Sequence, residues 1–275
     1  MVLSPSRVAA ALVAVMTAGS LDLPQAKAPR RLVAVLAHAD DEGAVSPILA
    51  RYAREGVQVS MVIVSDGGAG SGQQGHLQRP DSGLTGDALA SARADEARCA
   101  ARELGTLPPV LLGFPDGELG NYTADRALIY RVTQRLADEL HRLQPDVIIT
   151  WGPDGGTGHP DHRIVSSIVT QLHRTGAPGV PERLFYMSLP VEGMRAMNPQ
   201  RGEPPLVVPQ RKYFTATIAF SPEDFEAAKR SMACHRSQFT AEVVERVTAA
   251  SGAAWNQRIP LIPAFSTNAL TDVFR

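Results

Sequence analysis

The sequence predicts an α/β protein with a Rossmann-like, doubly wound and mainly parallel sheet that carries helices on both faces. Short runs of uninterrupted apolar residues, such as Leu32 to Leu36, are typical of strands buried on both sides of a parallel sheet. These runs alternate with longer segments that have the period of an amphipathic helix, as expected for successive βα units. A chain of 275 residues with 44% hydrophobic content is sufficient for one α/β domain, expected over residues 29–275.

The expected elements follow one another without a clear linker. Strands are predicted at 31–37, 57–65, 110–114, 146–151, 184–189 and 213–220. A first helix is predicted after the first strand and ends near Glu55. Further helices are predicted at 87–104, 123–143, 161–173 and 222–235, the last with Ser221 as its N-cap. Region 191–209 is rich in Pro, Gly and Met and is interpreted as a loop near the site. The tail after Ala249 is interpreted as irregular and without function.

The first 28 residues have the three parts of a signal peptide in order. Arg7 is basic, Val8 to Met16 is almost wholly apolar, and Ala26-Lys27-Ala28 fits a cleavage site. Because the apolar stretch is too short for a stop-transfer helix, we expect an exported, periplasmic or extracellular protein without an integral membrane span. The alternative is an N-terminal extension of a cytoplasmic protein.

The net charge and the cysteine content limit which binding partners and which metal sites are expected. The formal net charge of −1 gives no reason to expect binding to nucleic acid or to an acidic membrane surface. The two cysteines, Cys99 and Cys234, are too few for a cysteine-based zinc site. They could pair in an oxidising compartment or remain two buried thiols.

A first polar cluster directly follows the first predicted strand. His38, Asp40 and Asp41 stand where the apolar run ends and the next helix begins. In open α/β sheets, ligands bind at this carboxyl end of the strands. His38 and Asp41 are three residues apart in a turn, so both side chains can face one point.

A second cluster, Gly158-His159-Pro160-Asp161-His162, follows the fourth predicted strand. Hydrolytic zinc sites commonly use three His or carboxylate ligands and leave one position open for water. His38, Asp41 and His162 can supply such a set, which leaves Asp40 as a general base. His159 could then stabilise an oxyanion or protonate the leaving nitrogen. Taken singly, each residue has a structural explanation as a helix cap or a hydrogen-bonded histidine.

Other common catalytic motifs are missing from the sequence. The Gly-rich stretch Gly67 to Gly75 lacks the Gly-Lys-Ser/Thr ending of a P-loop, and no GxGxxG follows the first strand. Ser71 does not lie in a GxSxG motif, which disfavours a serine hydrolase. A nucleotide-binding Rossmann protein is therefore a weak alternative.

The sequence resembles the LmbE-like/PIG-L family of zinc-dependent de-N-acetylases. The resemblance rests on Ala37-His38-Ala39-Asp40-Asp41-Glu42 and on Gly158-His159-Pro160-Asp161-His162. Weaker matches, in the same order along the chain, are residues 93–96, 114–119 and 235–238. Ala39 replaces the usual proline of the first motif, which we expect to loosen the turn without removing a ligand or the base.

The resemblance implies a role for each matching residue. It implies one Zn²⁺ held by His38, Asp41 and His162, with Asp40 as general base and His159 beside the oxyanion. It further implies a substrate pocket near Arg93, Asp116 and His235, with Gln238 as a further candidate, and a supporting position for Asp161 behind the ligands. For these four pocket residues, surface charges, turns and helix caps are the structural alternatives.

The expected activity is removal of an N-acetyl or other N-acyl group from an amino sugar or its conjugate. The alternatives are an amidase that acts on a non-sugar amide or a thiol conjugate, and a carbohydrate-binding protein without turnover. Iron or cobalt could also occupy a site of this ligand type. The sequence leaves the oligomeric state open.

Overall fold

The computed structural model describes residues 28–70, 83–121, 125–156, 158–197, 209–265 and 269–275. Its centre is a seven-stranded sheet with the strand order β3-β2-β1-β4-β5-β7-β6. The strands are β1 (Arg31–Leu36), β2 (Gln58–Ser65), β3 (Val110–Phe114), β4 (Val147–Trp151), β5 (Leu184–Met187), β6 (Ala216–Ala219) and β7 (Arg258–Pro263). The five strands β1 to β5 are parallel, and β7 is antiparallel to both β5 and β6.

Seven α-helices accompany the strands in the described residues. They are α1 (Ser46–Arg54), α2 (Gly86–Leu104), α3 (Leu128–Leu143), α4 (Pro160–Arg174), α5 (Val191–Met197), α6 (Pro222–Cys234) and α7 (Ala241–Trp255). The short 3-10 helix Asp41–Ala44 precedes α1. The α/β prediction with a mainly parallel sheet is confirmed.

The apolar run of β1 is continuous because both faces of the sheet are covered. Leu32, Ala34 and Leu36 belong to a core cluster that includes residues of α1 and α2. Val33 and Val35 belong to a second cluster on the opposite face, formed with residues of α3 and α4. Helices on both faces are the arrangement that a doubly wound sheet requires.

The C-terminal part departs from the prediction at two places. Residues 191–197, expected to be a loop, form α5. The tail after Ala249 is not irregular, since it completes α7 and then forms β7 between β5 and β6. The prolines of Arg258–Pro263 argue against an interior strand. They are accommodated because residues 258–261 pair with β6 and only Ile262 and Pro263 pair with β5.

A disulfide joins Cys99 of α2 to Cys234 at the end of α6, so the two cysteines do pair. Ser221 caps α6 as predicted, since its side chain accepts a hydrogen bond from the N–H of Asp224 and Asp224 bonds back to Ser221. No helix in the described residues is long and apolar enough to cross a membrane. The expected signal peptide falls on residues that lie outside the described ones, apart from Ala28.

Candidate active site

The two predicted clusters meet because β1 and β4 are neighbours in the sheet. Val35 of β1 lies opposite Thr150 of β4, and both strands run in the same direction. The residues that follow them therefore leave the sheet at the same edge. His38 and Asp41 come from the turn after β1, and His159 and His162 come from the start of α4.

Three donor atoms from these segments form a compact, buried triangle. His38 Nδ1 lies 3.1 Å from His162 Nε2, and His162 Nε2 lies 3.0 Å from Asp41 Oδ1. The third side, from His38 Nδ1 to Asp41 Oδ1, is 3.9 Å. Ligands bonded to one zinc at about 2.0–2.2 Å have separations of this size. The triangle is therefore a His-His-Asp group that is able to hold a metal ion.

The backbone fixes which oxygen of Asp41 faces the histidines. Asp41 Oδ2 accepts hydrogen bonds of 2.9 Å from the N–H groups of both Ala37 and His38. Oδ1 is left to face His162. Although burial opposes ionisation, the charge and hydrogen bond of His162 hold the pKa of Asp41 well below its usual range, so Asp41 is a carboxylate.

Each imidazole of the triangle has a partner on its far side. His162 Nδ1 lies 2.9 Å from the carbonyl oxygen of Gly155, and the ring stacks on Trp151 at a centroid distance of 4.6 Å. A carbonyl accepts only from an N–H, so His162 Nδ1 carries a proton, and Nε2 is the ring nitrogen that faces Asp41 and His38.

His38 is oriented by two carboxylates. Its Nε2 lies 3.0 Å from Asp116 Oδ1 and 3.5 Å from Asp161 Oδ2, and Asp161 also accepts a hydrogen bond from the Gly117 N–H. Carboxylates behind a ligating histidine are a common way to fix its tautomer. The structure thus places Asp161 beside His38, and it places Asp116, predicted for the substrate pocket, in contact with the same ring.

Asp40 lies beside the triangle in an unusual backbone conformation. Its φ of 97° is in the left-handed region, which non-glycine residues rarely occupy. Its carboxylate Oδ2 is 3.2 Å from Arg93 Nη2, and its N–H donates to Glu42 Oε2 at 3.0 Å. Burial raises the pKa of Asp40 above its ordinary value, although the charge of Arg93 opposes this. A raised pKa suits a carboxylate that must accept a proton.

Arg93 is not placed as expected for a substrate-binding residue. Its side chain is buried and contacts the carboxylate of Asp40, the carbonyl of Ala39 and the carbonyl of Gly67, the last at 3.4 Å. These contacts hold the turn in which Ala39 replaces proline. In the structure Arg93 therefore supports Asp40 from within the protein, and its role in substrate binding stays a prediction.

His159 faces the triangle from the start of α4. It is the N-cap of this helix, and its Nδ1 accepts a hydrogen bond of 3.2 Å from the Asp161 N–H. The ring proton of neutral His159 is therefore on Nε2. Burial, together with the charges of His38 and His162, lowers the pKa of His159 to about 4. At neutral pH this residue is an uncharged hydrogen-bond donor.

The structure encloses His235 and Gln238 in the protein interior. His235 is 1% exposed and its Nε2 contacts Glu42 Oε1, while Gln238 is fully buried and donates to Ser237. A side chain enclosed in this way has no surface to offer a substrate. In the structure His235 therefore lies against Glu42, and the role in substrate binding predicted for it is not tested.

Sequence reasoning gave no function to Glu42, Trp151 or Gly155. Glu42 was visible as the last residue of the first motif, and its charge beside an apolar helix was a signal of a buried partner. Trp151 was predicted only as the last residue of a strand. The contact of Gly155 uses its backbone carbonyl, for which the sequence contains no signal.

Comparison with known proteins identifies the family. The family model for GlcNAc-PI de-N-acetylase, PIG-L, matches residues 33–173. A curated relative from Actinosynnema mirum, 1D-myo-inositol 2-acetamido-2-deoxy-alpha-D-glucopyranoside deacetylase, is 32% identical over 242 residues, which cover 78% of this chain and 82% of the relative. The chain belongs to the PIG-L family. It is an enzyme of the deacetylase class, a hydrolase that acts on amides.

Solved structures agree on the fold. An N,N'-diacetylchitobiose deacetylase from Pyrococcus horikoshii matches with a TM-score of 0.58 at 18% identity, over 84% of this chain and 82% of that one. The 4-carboxy-2-hydroxymuconate hydratase GalB from Pseudomonas putida matches with a TM-score of 0.57 at 18% identity, over 86% and 97%. Because one fold serves both reactions, the fold by itself does not define the chemistry of this PIG-L member.

Proposed function

We propose that this PIG-L protein hydrolyses the N-acetyl group of an amino sugar, or of an amino-sugar conjugate, at one zinc ion held by His38, Asp41 and His162. The observation that carries the proposal is the triangle of 3.0, 3.1 and 3.9 Å with Asp40 and His159 beside it. Burial removes these donors from water, so a cation that joined them would compensate the buried carboxylate.

The assignment of Asp41 as third ligand rests on its charge and orientation. His159 also belongs to a possible trio, since donor atoms of His38, His159 and His162 lie within 4.8 Å of one another, as do those of His38, Asp116 and Asp161. Asp41 supplies a negative charge, and two backbone N–H groups already fix its carboxylate. His159 is thereby left for the substrate. When bound, zinc would supply Lewis acidity toward the water nucleophile and the acyl carbonyl.

The chain's own residues then divide the proton transfers. Asp40 accepts a proton as water oxygen attacks the acyl carbon, and Arg93 keeps the carboxylate of Asp40 in place. His159 donates its Nε2–H toward the developing oxyanion. When the C–N bond breaks, the proton on Asp40 passes to the leaving nitrogen. The products are acetate and a free amine.

The choice of an amino sugar is supported by the names of two similar proteins. The Actinosynnema mirum relative is named for a 2-acetamido-2-deoxy-glucopyranoside, and the Pyrococcus horikoshii structure is named for N,N'-diacetylchitobiose. Both compounds carry an acetamido group on a glucosamine ring. Export is a separate proposal, supported by the signal-like segment and by the Cys99–Cys234 disulfide, because disulfides persist in oxidising compartments. Sequencing the mature N-terminus tests it.

Metal analysis paired with an acetate-release assay tests the function. We expect about one zinc per chain, loss of activity on chelation, and recovery with zinc. Release of acetate is expected from N-acetylglucosamine derivatives, and preferential cleavage of non-sugar amides or thiol conjugates would instead identify the amidase alternative. Sugar binding without acetate release would identify the silent binding protein.

Variants link the metal to the triangle. Asp41→Asn and His162→Ala should each lose zinc together with activity. Asp95→Asn is the matched control, because Asp95 lies on the surface in an exposed pair with Arg98. Full zinc content in both triangle variants would contradict the proposed ligand set.

A further inference from the structure

The turn that carries Asp40 is anchored by a buried polar network that the deacetylation scheme does not use. We name residues 39–42 the Asp40 turn. Glu42 is 1% exposed, and its carboxylate has contacts on both oxygens. Oε2 accepts from the Asp40 N–H at 3.0 Å, while Oε1 contacts His235 Nε2 at 2.5 Å and Ser231 Oγ at 3.3 Å.

The location of Glu42 requires an explanation, since a buried carboxylate is costly unless it is paired. A carboxylate that only caps the start of a helix needs no partner other than the exposed backbone N–H groups of that helix. Glu42 instead reaches across to α6, where His235 at the end of the helix is also 1% exposed. The other ring nitrogen of His235, Nδ1, has no hydrogen-bond partner within the part of the chain that the structure describes. Glu42 is thus the group that orients His235.

The backbone of Asp40 is the element on which this network acts. At φ 97° an aspartate is strained and stays there only when its surroundings hold it. Arg93 holds the carboxylate of Asp40, and Glu42 holds its N–H. Release of the N–H would let the backbone relax and would swing the carboxylate away from the triangle.

We propose that Glu42, itself anchored by His235, is a positioning residue that holds the general base Asp40 in its left-handed conformation. The proposal rests on the proposed function for the statement that Asp40 is the base. Its structural content, that Glu42 fixes the backbone of Asp40, is independent of the substrate. The network also joins this turn to the end of α6. The sequence alone predicted no part for α6 in holding Asp40.

The kinetic test compares Glu42→Ala with Glu42→Gln in the full-length protein. In Glu42→Ala we expect kcat to fall about 10- to 100-fold, because a displacement near 1 Å can cost this much, with KM within about twofold and zinc unchanged. Glu42→Gln keeps an oxygen that can accept from the Asp40 N–H, so most of the activity should return. His235→Ala should lower kcat less than Glu42→Ala, since it acts one contact further away.

A double-mutant cycle separates positioning from general damage. In the background of Asp40→Asn, Glu42→Ala should lower the residual kcat by less than about twofold, because it acts through a base that is already removed. Glu103→Gln is the stability control. It breaks the exposed Glu103–Arg230 pair between α2 and α6, which has no contact with Asp40, and should leave kcat unchanged.

Each outcome decides the proposal. Wild-type kcat in Glu42→Ala, or an equal loss with and without Asp40, overturns it, as does loss of zinc from Glu42→Ala. If the wild type releases no acetate at all, the proposed function fails, and a crystal structure of Glu42→Ala decides the positioning separately. Asp40 should then leave the left-handed region, and an unchanged φ near 97° would refute the role of Glu42.

Discussion

The parallel half of the sheet and the C-terminal part contribute to the site in different ways. The loops after β1, β3 and β4 supply the groups that line the triangle, among them His38, Asp116 and His159. The C-terminal part, from β5 onward, supplies Cys234, which is bonded to Cys99 of α2, and His235, which contacts Glu42 in the turn after β1. The proposed chemistry therefore lies at strand ends, and support comes from helices that pack behind them.

This difference predicts two classes of variant. Changes at the strand ends should remove catalysis with little loss of folding stability, because they delete reacting groups. Changes in the C-terminal part should lower stability and reach catalysis only through an intermediate residue. A variant in the C-terminal part that strongly lowers catalysis without displacing the site would contradict this difference.

The largest expected effect is that of Asp40→Asn. An amide cannot accept the proton from water, so kcat should fall by about 10²- to 10⁴-fold. The variant should bind zinc normally and unfold at a somewhat lower temperature than the wild type, since Arg93 loses the carboxylate that neutralises it but keeps its contacts with the carbonyls of Ala39 and Gly67. Acetate release, metal content and thermal unfolding measure the three quantities. A loss below tenfold would assign the base to another residue.

The next largest effect is expected for His159→Asn, because the shorter side chain does not reach the position of the Nε2–H donor. Removal of one hydrogen-bond donor to an oxyanion commonly lowers kcat by about 10²- to 10³-fold. An asparagine retains an acceptor for the N-cap hydrogen bond with the Asp161 N–H, so α4 should remain intact. Steady-state kinetics and circular dichroism report the two effects separately. Equal losses of helix and activity would mean that His159 acts only as a cap.

The low pKa of His159 gives a pH test of the same residue. Because that pKa is lowered to about 4, the folded protein keeps His159 neutral at pH 5.5, where an unfolded chain would mostly protonate it. The contribution of His159 to stability is therefore present at neutral pH and is lost as pH falls from about 6.5 toward 4. ¹⁵N NMR of the ring should show the Nε2–H tautomer at pH 5.5. A protonated ring at that pH would contradict the assignment.

The sequence was sufficient for the parallel half because both required signals are local. A buried strand such as β1 shows as an apolar run, and the polar residues that end it show directly after it. The meeting of His38 with His162, 124 positions later, followed from the rule that strand ends gather ligands. Expected ligands and observed neighbours therefore coincide there, while the metal itself stays a prediction.

The C-terminal part could not be predicted in the same way because its order depends on long-range pairing. β7 contains two prolines, and it is a strand only because β6 and β5 each pair with a different portion of it. The burial of Arg93 and His235 was equally invisible. From the sequence alone, each charged side chain is predicted to lie on the surface, because only the structure shows the partner that neutralises it, Asp40 or Glu42.

The disulfide tests the expected contribution of the C-terminal part to folding stability. Cys99→Ser combined with Cys234→Ser should lower the free energy of unfolding by about 2–4 kcal/mol, since the bond closes a loop between residues 135 positions apart. At 25 °C the folded fraction should keep kcat within about threefold of the wild type, because Glu96 and Ser237 still join the same segments. Denaturant unfolding and kinetics on one preparation measure both. A loss of kcat above tenfold would place the disulfide within the catalytic support.

A smaller loss of stability is expected for Gly67→Ala, which tests whether Arg93 supports Asp40. A Cβ at Gly67 would lie 2.7 Å from Arg93 Cδ, and the φ of +74° adds backbone strain of about 1–3 kcal/mol. Gly56→Ala is the matched control, because φ is +81° there and nothing lies within 4 Å of the added carbon. Both variants carry the strain of a positive φ, whereas only Gly67→Ala should also displace Arg93 and lower kcat, by about tenfold, since the displaced guanidinium no longer holds the carboxylate of Asp40. Equal kcat values in the two variants would show that the contact between Arg93 and Asp40 serves folding alone.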